Sequence, residues 1–269
     1  MEKLIVAVDF STASCNAARY AADMAVQIKA EIILFHVIDI SILISGVSVA
    51  ADFYTGMEKD TEEELNLLKE ELITRTRNKV PVSVNNISGL VISELTGLCN
   101  EVRPLAVIMG AQGKSAVDRF FLGSNTGEAI QRLSYPIFVI PSDAVYTSVR
   151  KILLACDMQN TRALPFRKIE KFVRLLNAQL LVLNIKTSEK NIKSESVLVE
   201  DELSALAPAY YSIHNDSVES GINQFVTENQ IDLLLLVPKS RNLLAAVFHK
   251  SISKRICWHP AIPVITLSE

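Results

Sequence analysis

Four cysteines in 269 residues, Cys15, Cys99, Cys156 and Cys257, lie far apart and form no C-x-x-C pair. That spacing argues against a disulfide framework and against a cysteine-ligated metal, and predicts reduced thiols in a cytoplasm. The histidines, His36, His214, His249 and His259, form no metal-ligand spacing either, so no metal site is expected. No apolar run approaches the roughly 20 residues needed to cross a bilayer. Met1-Glu2-Lys3 leads straight into a strand-like run, without the basic and long apolar regions of a signal peptide. No membrane partner is expected. An excess of one charge is missing too: 27 Lys and Arg against 30 Asp and Glu leave a net charge of −3, with no basic footprint for nucleic acid. Neither the P-loop nor the dinucleotide glycine pattern occurs.

What is present is a soluble α/β composition, 49% apolar and 21% charged. The length suggests two domains of about 100–150 residues each. Leu4-Ile5-Val6-Ala7-Val8 reads as a buried strand that stops at Asp9-Phe10-Ser11. Ser11 or Thr12 can cap a helix carrying Ala17, Ala21, Met24, Ala25 and Ile28 at roughly helical spacing. Glu31 to Ile38 is a second buried strand, so the opening is a right-handed βαβ unit in a parallel sheet. Residues Asp39 to Tyr54 form a long mixed connection, either a flap over the sheet's edge or a partner contact through Ile42, Leu43 and Ile44. A long helix over Met57–Lys79 has an acidic start and a basic end, matching its dipole. Val80–Val84 is a third strand, with Pro81 near its start. Gly89 then turns the chain into a helix bearing Val91, Ile92, Leu95, Leu98 and Cys99.

Leu105–Met109 is a fourth buried strand, and after it comes the most informative stretch, Gly110 to Thr126. A helix over Gly127–Leu133 follows, closed by Tyr135-Pro136, and a last strand, Ile137–Ile140. Glycines between a strand and a helix start let backbone amides approach an anion, and the positive end of the helix favours negative charge. The natural ligand of such a loop is a phosphate. Asp9, Val37 and Gly110 all stand at strand carboxyl ends, where a doubly wound sheet has its crevice.

Beyond a linker over Asp143–Ser148 the pattern returns. Lys151–Asp157 repeats Lys3–Asp9, and Gln179–Ile185 repeats Glu31–Val37, both displaced by 148 residues. Pro263-Val264-Ile265 repeats Pro136-Ile137-Phe138, and Phe248 matches Phe121, at a displacement of 127. The second half is therefore shorter by 21 residues around the insertion and long helix. At the 127 displacement Val237 stands for Gly110, Ser240 for Gly113 and Lys250 for Gly123, while Ser251 keeps Ser124 and Asp157 keeps Asp9. Pro238 removes an amide donor from that loop. The second copy has lost the glycine cradle, so one phosphate site per chain is expected. The loss also suggests that the fold does not require those glycines.

The spacing Gly110-x-x-Gly113-x9-Gly123-Ser124 resembles in full the motif of ATP-binding universal stress proteins, and the resemblance extends over both halves. It implies two tandem doubly wound domains, 1–143 with an intact motif and 149–269 with a degenerate one. Each would be a five-stranded parallel sheet with helices on both faces, Rossmann-like and similar to adenine nucleotide alpha hydrolases. It also implies a cofactor, ATP or another adenine nucleotide, with Mg or Mn as an optional companion. Asp9 would serve the ribose or adenine side, with helix N-capping as its alternative role. Val37 would meet adenine, and Met109, Gly110 and Gly113 would line ribose and phosphates. Gly123, Ser124 and Asn125 would bind phosphate oxygens, with helix capping as the alternative for Ser124 and Asn125 through an Asn125-x-x-Glu128 box. Lys114 and Arg119 are further phosphate candidates, and Asp118 can instead neutralise them at the surface. His36 reads as a core or crevice histidine. No catalytic residue stands out, and no Ser-Gly-Gly-x-Asp-Ser loop follows the first strand. The expectation is a stress-response nucleotide-binding protein with no or very slow hydrolysis. The alternatives are a ligand-independent scaffold and, behind it, a slow ATPase. By the same resemblance the two domains pair internally through Ile137–Ile140 and Val264–Leu267, with a homodimer as a further expectation.

Overall fold

The computed structural model describes residues 1–39, 51–111, 123–156, 164–187, 202–238 and 262–268, with only the backbone described at 51–55. The chain divides into two compact units, Met1–Tyr146 and Thr147–Glu269.

Unit 1 runs β1 (Glu2–Ala7), α1 (Thr12–Ile28), β2 (Ala30–Asp39), α2 (Ala51–Arg75), β3 (Val82–Gly89), α3 (Val91–Val102), β4 (Ala106–Gly110), α4 (Ser124–Arg132) and β5 (Ile137–Ile140). All its strands are parallel, in the order β3-β2-β1-β4-β5. The short apolar runs become the central strands because both faces are covered. Leu4, Ile5, Val6, Val107 and Ile108 are fully buried. Helices α1 and α2 touch each other on one face, and α3 and α4 touch on the other. The apolar stripe of α1 is mostly alanine, with Ala17, Ala18, Ala21, Ala22 and Ala25 fully buried. Side chains that small let the helix lie close on the sheet. Arg19 makes a two-pronged bond to Glu71, and Arg75 another to Asp23 at 2.7–3.0 Å, pinning α1 to α2. After β5, Asn16 Nδ2 of α1 donates to the carbonyls of Pro141 (3.0 Å) and Ala144 (2.9 Å). Tyr146 packs edge-on against Tyr20 and bonds to Gln27.

Three boundaries differ from the sequence reading. Helix α2 starts at Ala51, before Met57, and ends at Arg75, before Lys79. Arg77 and Asn78 take left-handed φ values of 53° and 59° and end it. Strand β3 starts after Pro81 and extends to Gly89. Its second half, Asn85-Asn86-Ile87-Ser88, is polar and half-exposed because β3 is an edge strand, so no apolar run marks it. Pro81 contributes only its carbonyl, to Ile32 N at 2.9 Å. Helix α4 starts at Ser124 rather than Gly127, with Gly123 as the residue before the first turn. The stretch expected as a flap, including Ile42–Ile44, lies outside the described residues.

Unit 2 runs β6 (Lys151–Ala155), α5 (Phe166–Leu176), β7 (Gln179–Lys186), a 3-10 turn (Ser204–Leu206), β8 (Ala209–His214), α6 (Val218–Asn229), β9 (Leu233–Leu236) and β10 (Val264–Thr266). Its parallel strands follow β8-β7-β6-β9-β10, the same order as unit 1. Helix α6 stands 127 residues after α3 at both ends, and α5 ends 148 residues after α1. Helix α5 begins at Phe166, opposite Ala18, so the first turns of α1 have no helical counterpart among the described residues. Among the described residues, no helix is long and apolar enough to cross a membrane.

Candidate functional site

In unit 1 the chain leaves β1 towards β2 and leaves β4 towards β5, in opposite directions across the sheet. A crevice opens beyond the carboxyl ends of strands at such a switch point. Two helix starts, α1 after β1 and α4 after β4, belong to these strand ends, and neither has an acidic residue in its first turn. Their dipoles therefore keep their positive ends for an anion.

The β1 end is built by a short polar network. Ser11 is the N-cap of α1, its Oγ accepting from Ser14 N at 3.1 Å. Asp9 is not the cap: its Oδ1 accepts from Ser11 N at 3.0 Å and from Ser11 Oγ at 2.6 Å. Asp9 N in turn donates to the Oγ of the buried Ser14 at 3.2 Å. The carboxylate is thus oriented by the cap rather than acting as one. Between them Phe10 takes φ 58°, a left-handed conformation that costs a bulky residue about 1–3 kcal/mol and persists only where the surroundings impose it. Its ring lies 4.9 Å from that of His36, tilted 42°. His36 Nδ1 stands 2.7 Å from the carbonyl oxygen of Val8.

At the β4 end Met109, Gly110 and Ala111 are buried. A Cβ on Gly110 would come within 2.8–2.9 Å of backbone atoms of Ala13 and Ser14, so β4 and the first turn of α1 meet without room for a methyl group. Two bonds lock the start of α4 onto the strand. Gly123 N donates to Ala111 O at 3.0 Å, and the hydroxyl of buried Thr126 donates to Gly110 O at 3.0 Å. The first bond inside α4 is Gly127 N to Gly123 O, so the amides of Ser124, Asn125 and Thr126 precede the helix ladder and point out of its end. The capping alternative for Ser124 and Asn125 is not realised, since both lie inside the helix and Gly123 caps without a side-chain bond. Gly123's own amide is occupied by Ala111, which leaves the next three amides to face a ligand.

Val37 lies near the end of β2, half-buried and paired with Ile87 of β3. The last β1–β2 pair is Ala7 with Phe35, and Val8 N donates to Phe35 O at 2.8 Å. Peptide groups alternate between the two neighbours of a strand. Those of Phe35 face β1, so those of Val37 face the same side, beyond the end of β1. Gly113, Lys114, Asp118 and Arg119 lie outside the described residues, as do Asp157, Ser240, Lys250 and Ser251. Asp9, Met109, Gly110, Gly123, Ser124 and Asn125 belong to two adjoining strand ends, linked through Ser14 and the Ala13–Gly110 contact. Ser14 and Thr126 are positioning residues that the sequence reading gave no role. Their one sequence signal is spacing: Ser14 stands three residues after the cap, and Thr126 three after Gly123.

Cys15, in the first turns of α1, has its thiol pushed up by burial, with Arg19 opposing and Glu71 and Asp9 reinforcing the shift. In unit 2 the residues after β9 are Val237 and Pro238, and Pro238 cannot give the donor that Ala111 gives to Ile140 O.

A doubly wound parallel sheet with a glycine-bearing strand-to-helix turn at its switch point defines a Rossmann-like α/β protein, a class whose ligands sit beyond the strand ends. Residues 1–141 match the Universal stress protein family, and the chain belongs to that family. Two universal stress proteins of Methanocaldococcus jannaschii are similar to about half of the chain. One is 24% identical over 139 residues, covering 52% of this chain and 81% of the relative. The other is 27% identical over 159 residues, covering 52% and 94%. A universal stress protein from Archaeoglobus fulgidus superposes on the whole chain with a TM-score of 0.78, covering 96% of that protein at 16% identity, a likeness of fold.

Proposed function

We propose that unit 1 holds ATP, or another adenine nucleotide, at the β1/β4 switch point, with no or very slow hydrolysis, as a nucleotide-binding stress-response protein. The observation that carries this reading is the locked α4 start: Thr126 and Gly123 fasten it to β4, so three outward amides stand preorganised where phosphates would bind. The donor set fits the rest of the ligand. Asp9 offers a carboxylate, already oriented by Ser11, to sugar hydroxyls, and Val37 offers a peptide group to the base. Mg or Mn is an optional companion of the phosphates. Unit 2, with Val237 and Pro238 at the corresponding turn, is read as a second domain of the same family without a nucleotide.

A ligand that binds only the folded state at 100 times its Kd adds about 2.7 kcal/mol of stability. Millimolar Mg-ATP should therefore raise the melting temperature, and mass spectrometry of the freshly purified, denatured protein should find an adenine nucleotide. An unmoved melting temperature together with no released nucleotide would overturn the reading. Steady phosphate release that stops in Asp9→Ala, with folding intact, would instead make the protein an ATPase.

A further inference from the structure

The end of β2 is finished by a side chain where a sheet would ordinarily use its own backbone. In a parallel ladder Val37 N–H is the next donor after the Val8–Phe35 bond, and its acceptor would be Val8 O. His36 Nδ1 meets that oxygen at 2.7 Å, and no Val37 N–Val8 O bond forms beside it. A carbonyl oxygen can only accept, so the contact requires the proton on Nδ1. Beyond Val8 the chain turns away through Phe10 at φ 58°, and the Phe10 ring rests against the imidazole. The turn carries the chain off the line of β2 one residue before Ser11 begins the cap.

We propose that His36 is a positioning residue for base selection: by satisfying Val8 O through Nδ1 it leaves the Val37 N–H and C=O turned towards the ligand. A neighbouring donor and acceptor of that kind complement adenine, whose N1 accepts and whose N6 amino group donates. Hypoxanthine reverses both, with a donor at N1 and an acceptor at position 6, and meets like with like. A site built around such hydrogen bonds discriminates strongly, because the wrong base leaves its polar groups unpaired. The inference rests on reading unit 1 as an adenine-nucleotide site, and it adds how this chain chooses its base.

The test compares ATP with inosine triphosphate by calorimetry on the full-length protein. The wild type should prefer ATP by about tenfold or more, the scale of one lost hydrogen bond to a buried partner. His36→Phe keeps a ring against Phe10 but has no donor, so Val37 N–H can close onto Val8 O. Its preference should fall towards one. His36→Asn places an amide donor near the Nδ1 position and should keep the preference. Asp9→Asn should weaken both nucleotides alike, because the sugar is common to them. The inference is overturned if the wild type binds both nucleotides equally. It is also overturned if His36→Phe, with a melting temperature near wild type, keeps the ATP preference, or if His36→Asn loses it. Wild-type protein that binds neither nucleotide overturns the site reading itself, an outcome distinct from equal binding.

Discussion

At Gly110 the absent Cβ matters more than any freedom of φ. Gly110→Ala would drive a methyl group to 2.8 Å from the backbone of Ala13, and backbone cannot swing aside as a flexible side chain can. Overpacking of this kind costs about 1–3 kcal/mol. The expected outcome is a lower melting temperature together with weaker nucleotide binding, since the turn displaced belongs to the helix that Ser11 caps. Thr126 offers a gentler probe. Thr126→Val keeps the shape but strands Gly110 O, a loss of about 1–3 kcal/mol for a buried acceptor, whereas Thr126→Ser should stay close to wild type in chemical denaturation. Cys99 makes a third case: burial pushes its thiol from its ordinary value near 9 up to about 12. In the unfolded chain the thiol ionises first, so between those pH values the unfolded state binds fewer protons and stability falls with rising pH. Cys99→Ala should flatten that part of the profile. The repeat in the sequence suggested that the fold does without glycine at this turn, since Val237 replaces it. In unit 1 the glycine also has a packing role, because the first turn of α1 presses on it; the residues that match Ala13 and Ser14 in unit 2 lie outside the described residues. A packing role and a ligand role leave the same trace in a sequence.

At the scale of elements, apolar runs fixed the central strands to within a residue or two because burial on both faces demands them. They failed at α2 and β3. The start of α2 lies in a stretch without a helical stripe, and the second half of β3 is an edge carrying Asn86 and Ser88, which bond to Thr61 and Glu58 of α2. The cap at Ser11 was readable, but the way that cap orients the Asp9 carboxylate was not, because Asp before Ser fits either role. The α1–α2 pair invites a pH experiment. Its bond to Arg19 holds the Glu71 carboxyl below its ordinary value of 4.5, against the effect of burial. A carboxyl lowered in the folded state contributes stability above its unfolded value, and that contribution is lost as pH falls through the folded one. Both partners are substantially exposed, so Glu71→Gln should cost no more than about 1 kcal/mol at pH 7. The gap between variant and wild type should close below pH 4.5 in urea unfolding.

At the scale of the molecule, two units share one strand order while differing at the turn that would hold phosphate. If one nucleotide binds per chain, hydrogen exchange should slow on adding ATP in peptides from the β1–α1 turn, the end of β4 and the start of α4. Exchange in the β6–α5 and β9 peptides should stay unchanged. Equal protection in both units would contradict a single site. The doubling was legible because strand runs recur at two fixed displacements, and the two units share one strand order.

Asn16 gives the first unit's exit a property that its sequence hides. Asp143 to Ser148 reads as a loose connector, the kind of tip a protease nicks first. Yet Pro141 and Ala144 are stitched to Asn16, and Tyr146 leans on Tyr20 and Gln27, so the cut can come only after the strand lifts off α1. Chymotrypsin cutting after Tyr146 should thus report the fastening of α1 itself. Asn16→Ala should speed that cleavage, and a nucleotide that steadies the capped end of the same helix should slow it.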